Sequence, residues 1–307
     1  MAWCEFRRGK RNRRDVQQFE FNLEDNLWQL WQELKNRTYR SSPYISFFVS
    51  DPKLRRISKA AVRDRVLHQA IFRILYDVFD KNFIYDSYAS RFSKGIHLAV
   101  SRLERFLSSV SRNNRYPVFA LQCDIKKFFD LIDHNILYGL ISQKITDTDC
   151  LRLIKIIITS FEKSPGKGLP LGNVTSQLFA NVYLNELDGF IKHKLKCRCY
   201  LRYCDDFIIL SKDRHRLEAL IDDTNRFIKT NLQLEIHPGK ISIRSYLSGI
   251  DFLGYVLRPH YRVLRTRTKR RMLRLIGKNN HVSYMGLLQH CCGYKLKRKA
   301  MLKLSYV

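Results

Sequence analysis

The sequence lacks both a long apolar run and a secretion signal. The longest apolar candidates, such as LIKIII, are the size of a strand or a short helix, whereas a membrane span needs ~18–20 apolar residues. The start, MAWCEFRRGKRNRR, is charged where a signal peptide would need an apolar stretch. We therefore predict no membrane partner and a cytoplasmic location.

The eight cysteines lack the spacing of a disulfide framework or of a zinc site. In a chain without a secretion signal they are interpreted as reduced thiols. One hypothesis is a zinc site built from Cys197, Cys199, Cys204 and His290. Because the sequence has no pair of CxxC elements, we do not predict zinc.

Acidic residues are scarce and unevenly distributed. Asp and Glu number 28 against 56 Lys and Arg, a formal net charge of +28, and 45% of the residues are hydrophobic. Such a chain is predicted to fold, and its charge indicates a polyanionic partner, with nucleic acid as the first candidate.

The basic excess is greatest near the end of the sequence. No acidic residue follows Asp251, while residues 252–307 carry fourteen Lys and Arg. Apolar spacing in RRMLRLIGK and YMGLLQHCCGYKL predicts helices. We expect this basic helical segment to contact a phosphate backbone; an anionic membrane is the weaker alternative. The candidate contacts are Arg265, Arg267, Lys269, Arg270, Arg271 and Arg274.

What the sequence does contain is an acidic pair inside an apolar stretch, YLRYCDDFIIL at 200–210. Its flanks predict two short strands that turn at Cys204, Asp205 and Asp206. Two interpretations stay open at this point. The turn is a surface hairpin that happens to be acidic, or it presents carboxylates to a divalent cation.

A third carboxylate lies upstream in VFALQCDIKKFFDLIDHNIL. Val118 to Cys123 predicts a buried strand that ends at Asp124, and the apolar spacing after it predicts a helix. Alternatively, Asp124 is the N-cap of that helix. Together with Asp205 and Asp206, Asp124 provides the carboxylates required for nucleotidyl transfer with two magnesium ions. Mutual repulsion would prepare these carboxylates to take cations.

Further segments resemble the reverse transcriptases over nearly the whole chain. Asp124 with Phe128 and Phe129, and then YCDD, match the palm of that family. The other matching segments, in the family's order, are RDRVLHQAI at 63–71, SYASRFSKG at 87–95, GLPLGNVTSQ at 168–177, LEIHPGKISI at 234–243 and DFLGY at 251–255.

One segment narrows the resemblance to a subtype. Most reverse transcriptases have Gln-Gly followed by Ser-Pro where this sequence has Leu171-Gly172 and then Ser176-Gln177. That form is similar to the reverse transcriptases of diversity-generating retroelements, as are DPKLRRI near residue 51 and SYMGLLQHCCGYKL. The start is short for the family.

The resemblance implies a metal site and part of a nucleotide site. The metal ligands would be Asp124, Ile125, Asp205 and Asp206, holding two Mg²⁺ ions with Mn²⁺ as a substitute. Phe129 matches the steric gate that rejects a ribose 2′-hydroxyl, with core packing as its alternative role.

The remaining implied nucleotide contacts are basic or belong to the glycine segment. Lys53 and Arg55 match the pair that grips the triphosphate, although an exposed basic strand is an alternative. Arg91 matches the segment that covers the new base pair. Lys240 matches a lysine that protonates pyrophosphate, and we favour a simple phosphate contact for it. The pocket-lining set is Leu171, Gly172 and Gln177, whose alternative is a turn before a helix capped by Thr175 or Ser176.

The predicted fold class is α+β, a right-hand polymerase. Residues 1–117 would form mostly helical fingers, with an amphipathic helix at 21–36 and a basic hairpin near 44–58. Residues 118–257 would form an antiparallel-sheet palm, and residues 258–307 a small helical thumb. We expect any nuclease step to come from another protein.

The predicted function is an RNA-directed DNA polymerase, bacterial or phage-encoded, that copies a template RNA into cDNA with frequent errors at template adenines. Its implied partners are template RNA, RNA–DNA duplex, deoxynucleoside triphosphates and a small basic accessory protein (an accessory variability determinant). One alternative is a faithful reverse transcriptase of the retron or group II intron type. Another is an inactive nucleic-acid-binding protein.

Overall fold

A computed structural model describes residues 1–50 and 54–305. It combines α-helices with antiparallel strands, as the predicted α+β class requires. Lys53, a predicted triphosphate contact, lies outside the described residues, as does the beginning of DPKLRRI. Across the described ranges, every helix is too short or too polar to cross a membrane.

Thirteen α-helices and nine strands are present in the described part of the chain. The helices are α1 Ala2–Arg7, α2 Arg14–Phe21, α3 Leu23–Lys35, α4 Val62–Phe79, α5 Ile96–Ser111, α6 Phe128–Leu131, α7 His134–Ser142, α8 Thr148–Thr159, α9 Val174–Gly189, α10 Arg214–Leu232, α11 Thr266–Leu275, α12 His281–Gln289 and α13 Tyr294–Ser305. The strands are β1 Ile45–Val49, β2 Arg55–Lys59, β3 Phe119–Asp124, β4 Tyr200–Tyr203, β5 Asp206–Ser211, β6 Ser242–Ser245, β7 Ile250–Phe252, β8 Tyr255–Arg258 and β9 Tyr261–Leu264.

The chain divides into two units, each built from several segments. The first unit comprises Met1–Ile84, Ile125–Phe190 and Arg226–Glu235, and the second comprises Tyr85–Asp124, Ile191–Asn225 and Ile236–Val307. The predicted consecutive regions 1–117, 118–257 and 258–307 are a different partition and stay a prediction.

In the first unit, the predicted hairpin near 44–58 is confirmed. β1 and β2 pair antiparallel, with Ile45 opposite Lys59 and Val49 opposite Arg55. In the same unit α4 packs against α9. α9 is buried around most of its circumference, which explains why its sequence is apolar on several faces rather than along one stripe.

Two helices in the first unit are interrupted where the sequence predicts continuity. The predicted helix at 21–36 begins only at Leu23, because Asn22 adopts a non-helical conformation between α2 and α3. After Asp124 there are two helices instead of one. Asp133 ends the first segment and caps α7, with its carboxylate accepting the N–H groups of Asn135 and Ile136. A side-chain cap competes with helix continuation at such a position.

In the second unit, a four-stranded sheet has the order β4-β5-β3-β6, and all of its pairs are antiparallel. The predicted hairpin at Cys204–Asp206 is confirmed, since β4 and β5 flank that turn. Asp124 ends β3 as predicted. Its alternative role as an N-cap is wrong, because Lys127 occupies that position before α6.

A second sheet and the last three helices complete the second unit. β7, β8 and β9 form an antiparallel meander. One buried cluster joins both sheets of this unit to α5 and the last helices, through residues such as Leu103, Ile208, Leu257 and Met272. The predicted helices of the basic segment are present, but YMGLLQHCCGYKL is divided between α12 and α13.

Candidate active site

Strand register brings two of the predicted carboxylates face to face. In the antiparallel pair of β3 and β5, Asp124 lies directly opposite Asp206. Directly opposed residues of neighbouring strands have Cβ atoms ~5 Å apart, so like charges here repel. Asp205 occupies the turn just before β5, after Cys204 in a left-handed conformation with φ 57°.

Lys240 is held beside these acids by the chain that follows α10. His237 donates its backbone N–H to the carbonyl of Asp124 at 2.8 Å, which anchors the short 3₁₀ turn Pro238–Lys240. The Nζ of Lys240 then lies 2.5 Å from Oδ1 of Asp124. The structure therefore gives Lys240 a carboxylate partner that the sequence did not predict.

A cavity of about 290 Å³ opens at this point in the second unit. Asp124, Asp206 and Lys240 line it, but Asp205 does not. Arg265, predicted as a thumb contact, also lines it and is fixed by a 2.6 Å bond from its Nε to Oδ1 of Asp251. Sequence reasoning missed the other polar lining residues, which are Gln122, Ser242, Arg244 and Asp251.

The carboxylates are electrostatically crowded. The pKa of Asp206 is raised to about 7, first by burial of the group and then by the negative charges of Asp205 and Asp124. Asp206 is exposed to solvent, and repulsion between like charges raises its pKa without requiring complete burial. The pKa of Asp205 is raised by burial and by the charge of Asp124. A bound cation would relieve this repulsion.

The donor set suits a hard divalent cation, although it is not arranged as a finished cage. Within residues 1–50 and 54–305, no three His, Cys, Asp or Glu side chains form a metal cluster. Asp124 is engaged by Lys240 instead. Magnesium prefers carboxylate oxygens and completes its shell with water and phosphate, so Asp124, Asp205 and Asp206 fit it. Ile125, the predicted backbone ligand, is buried and follows β3 directly.

The first unit contains most of the predicted nucleotide pocket. Phe128 is buried, whereas Phe129 is only partly buried, so core packing falls mainly to Phe128. Gly172 adopts φ 116°, and a Cβ added there would lie 3.5 Å from Cγ2 of Ile57 in β2. The exposed residues of the set are Arg55, Gly172 and Gln177.

The alternative capping role in this segment is wrong. Thr175 and Ser176 lie inside α9 and are buried, and Asn173 holds the N-cap position without a side-chain capping bond. Gly172 has a positive φ just before a helix, and a residue with a Cβ would adopt that conformation only at a cost in free energy. The requirement for Gly172 is therefore one of backbone geometry, consistent with a close approach to a ligand.

Two predicted contact groups occupy other parts of the second unit. Arg91 donates from Nη1 to the carbonyl of Ser87 at 3.1 Å. The remaining predicted thumb contacts are on α11, and they are Arg267, Lys269, Arg270, Arg271 and Arg274. Met272 of the same helix faces the core. Sequence reasoning missed Arg202, which is fully buried in β4; a charged residue between Leu201 and Tyr203 was the available signal.

Comparison with known families decides the class. Residues 50–257 match the family model described as reverse transcriptase (RNA-dependent DNA polymerase). The chain belongs to the reverse transcriptase family. The predicted enzyme class, an RNA-directed DNA polymerase, is confirmed at the level of this family.

The curated proteins that this chain resembles are distant relatives. Protein YkfC of Escherichia coli is 23% identical over 81% of this chain and 74% of its own length. Group II intron-encoded protein LtrA of Lactococcus lactis subsp. cremoris is 24% identical over 76% of this chain. The chain spans only 50% of the length of LtrA.

Solved structures support the reverse transcriptase fold. A telomerase from Candida tropicalis matches with a TM-score of 0.53 at 12% identity, covering 75% of this chain and 59% of that one. A telomerase from Candida albicans, solved with a fragment of telomeric RNA, matches with a TM-score of 0.55 at 10% identity, covering 81% of this chain and 54% of that one. The predicted right-hand polymerase class is confirmed.

Proposed function

We propose that this reverse transcriptase copies RNA into DNA by nucleotidyl transfer at Asp124, Asp205 and Asp206. The observation that carries the proposal is the register of β3 and β5, which sets Asp124 opposite Asp206 in one cavity with Lys240. Family membership supplies the substrate class, template RNA paired with a growing DNA strand.

Each residue has a stated task in this proposal. The three carboxylates, with the backbone carbonyl of Ile125, would hold two Mg²⁺ ions. Bound there, these ions would supply Lewis-acid activation of the primer 3′-hydroxyl and charge stabilisation for the leaving pyrophosphate. Lys240 contacts a phosphate of the nucleotide. Phe129 excludes the ribose 2′-hydroxyl. Arg55 and Gly172 border the deoxynucleoside triphosphate.

Primer extension with the purified full chain, an RNA template, deoxynucleotides and Mg²⁺ tests the proposal. Asp124→Asn, Asp205→Asn and Asp206→Asn keep side-chain shape and remove a metal-binding charge, so each should slow extension on the order of a thousandfold or more. Asp222→Asn, an exposed acid on α10, is the matched control and should keep full activity. Full activity in any of the three catalytic-site variants would contradict the assignment of these carboxylates as metal ligands.

The chain also fits the mutagenic subtype found in diversity-generating retroelements. Related polymerases often have Gln where this chain has Leu171, and Leu171 cannot make the hydrogen bond with which a polar side chain tests the new base pair. A loss of about 1.4 kcal/mol in discrimination would raise errors tenfold. The resemblance adds the direction, errors opposite template adenine, and a small basic accessory protein as partner.

Sequencing of cDNA made from one defined RNA tests this subtype. We expect substitutions concentrated opposite template adenine and an altered error pattern in Leu171→Gln. A low, base-independent error rate would favour the second candidate, a faithful enzyme of the retron or group II intron type. LtrA, a group II intron-encoded protein, is the observation in favour of that candidate.

A further inference from the structure

Arg202 is a charged side chain placed where charge is costly. It is 0% exposed in β4, and a buried guanidinium is tolerated only when hydrogen bonds replace its water. Two of those bonds go to separate segments of the second unit. Nη1 donates to the carbonyl of Cys204 and Nη2 to the hydroxyl of Ser87, both at 3.1 Å.

The first of these bonds holds the turn that carries the carboxylates. Cys204 has φ 57°, a left-handed conformation that is unfavourable for a residue with a Cβ and persists only where the surroundings impose it. The carbonyl that Arg202 binds leads directly into the peptide of Asp205. The position of Asp205 and the start of β5 therefore depend on this bond.

The second bond belongs to a strand-like contact along β4. Arg202 donates its backbone N–H to the carbonyl of Asp86, and its own carbonyl accepts the N–H of Tyr88, each at 3.0 Å. Ser87 and Arg202 thus form a parallel bridge on β4, an edge strand of its sheet. The segment 86–88 is fixed to the strand that precedes the catalytic turn.

Ser87 also connects to the segment predicted to cover the new base pair. Its carbonyl accepts a bond from Nη1 of Arg91 at 3.1 Å, while its hydroxyl accepts from Arg202. A displacement of Ser87 would therefore move both Arg91 and the support of the Cys204 turn. Neither Ser87 nor Arg202 is among the residues that line the catalytic cavity.

We propose that Arg202 and Ser87 are positioning residues that fix the carboxylate turn and Arg91 in one arrangement. They act through Cys204 and Arg91 and do not touch substrate. The proposal deepens the proposed function and rests on it where polymerase rates are concerned. Its prediction for metal binding stands separately, because cation affinity is measurable without polymerisation.

The test compares two buried serines in the same unit. Ser87 and Ser111 are both 0% exposed, but the Ser111 hydroxyl bonds only within its own region, to the carbonyl of Ser108 and from the N–H of Asn114. Ser87→Ala and Ser111→Ala therefore remove the same atom from equally buried sites. The third variant is Arg202→Lys, which keeps the positive charge and loses the planar guanidinium that donates to two acceptors at once.

Three measurements are made on each full-length variant: the melting temperature, the Mn²⁺ dissociation constant by electron paramagnetic resonance, and kcat and KM for nucleotide addition. In Ser87→Ala we expect kcat to fall about tenfold and Mn²⁺ binding to weaken about threefold or more. Arg202→Lys should show larger losses of both. Ser111→Ala should lower the melting temperature comparably and leave kcat and Mn²⁺ affinity within about twofold of the parent.

The opposite results are equally clear. Parental kcat and Mn²⁺ affinity in Ser87→Ala would overturn the proposal, and so would equal losses in Ser87→Ala and Ser111→Ala. If the parent protein binds Mn²⁺ but extends no primer, the proposed function fails while the Mn²⁺ comparison still decides the positioning role. Ser87→Ala keeps the test valid if Arg202→Lys does not fold.

Discussion

At the scale of single residues, Lys240 and Asp124 form the contact with the most direct chemical consequence. The ammonium group lies 2.5 Å from Asp124 Oδ1, in the position where a cation would neutralise that carboxylate. It also opposes the rise in the pKa of Asp206 that the neighbouring acids cause. A lysine so placed is a tethered counter-ion that competes with a free divalent ion for the same oxygen.

We therefore predict that Lys240→Gln binds Mn²⁺ more tightly, by about threefold or more, while polymerisation becomes slower because a phosphate contact is lost. Electron paramagnetic resonance titration measures the affinity and primer extension measures the rate. Lys194→Gln, at an exposed position of the same unit, removes an equal charge and should leave both nearly unchanged. Weaker Mn²⁺ binding in Lys240→Gln would contradict the competition.

His68 makes stability depend on pH. It is 1% exposed on α4, neither ring nitrogen has a hydrogen-bond partner within the described residues, and burial lowers its pKa from 6.5 to about 4. The unfolded chain takes up this proton below pH 6.5, but the folded chain takes it up only below about pH 4. Stability therefore falls as the pH drops through that window, by about 3 kcal/mol in total.

His68→Leu should remove this component. We expect its free energy of unfolding to equal or exceed that of the parent at pH 7, by about 1 kcal/mol, because unsatisfied polar atoms leave the core. The advantage should widen as the pH falls from 6.5 to 4. Urea denaturation at several pH values measures the difference, and parallel pH profiles for the two proteins would refute the assignment to His68.

Residue roles differ in how well the sequence predicts them. The placement of Asp205 and Asp206 in a turn between two strands was predictable because the strand formers and turn residues that specify it are adjacent in the chain. Arg202 was not, because one of its partners, Ser87, lies 115 residues away in the sequence. A buried charge is compensated by non-local contacts, and no local pattern in a single sequence specifies them.

At the scale of elements, strands were predicted better than helix ends. The strand formers on both sides of Cys204–Asp206 predict the hairpin, and the two strands are largely buried. Helix continuity after Asp124 did not, because Ile132 and Ile136 keep helical spacing across the break at Asp133. The spacing of apolar residues indicates which face of a helix is buried. The break between α6 and α7 depends instead on the backbone N–H groups that the Asp133 carboxylate accepts.

Asp133 therefore provides a test at the element scale. It is buried and accepts N–H bonds from Asn135 at 2.9 Å and Ile136 at 3.1 Å. Asp147, the N-cap of α8, is exposed and accepts one bond from Cys150. Loss of an N-cap costs ~0.5–2 kcal/mol, so we expect Asp133→Ala near the upper end and Asp147→Ala near the lower.

Urea denaturation of both variants measures these costs, and Asp133→Asn separates capping from charge. Asparagine retains a carbonyl oxygen that caps almost as well, so it should recover most of the stability lost in Asp133→Ala. Equal costs for the two Ala variants would mean that burial of the cap adds nothing. In that case the break between α6 and α7 has another cause.

At the scale of the whole molecule, the charge of +28 is the property that the sequence specifies completely. The two units are each assembled from separate stretches of chain, and composition contains no signal for such interleaving. The net charge can be counted from the sequence without any knowledge of the fold. How that charge contributes to binding depends on which Lys and Arg side chains lie close together. α11 gathers five Lys and Arg within ten residues, without an acid among them.

This concentration predicts how binding of RNA–DNA duplex responds to salt. Each phosphate neutralised by the protein releases counter-ions, so the logarithm of affinity falls against the logarithm of salt with a slope of about −0.9 or somewhat less per contact. Arg270 and Arg274 are exposed on α11. Reversing both to Glu should therefore weaken binding and make the slope shallower by about two units.

A matched pair distinguishes this local effect from the field of the whole chain. Lys194→Glu with Lys229→Glu changes the net charge by the same amount at exposed positions that are not part of α11. Long-range attraction is screened within ~8–10 Å at moderate salt, so at moderate salt the control pair should keep both the affinity and the slope close to those of the parent. Filter binding of a labelled duplex from low to moderate salt measures both slopes. If the two pairs flatten the slope equally, α11 has no privileged contact with phosphate, and net charge alone accounts for the affinity.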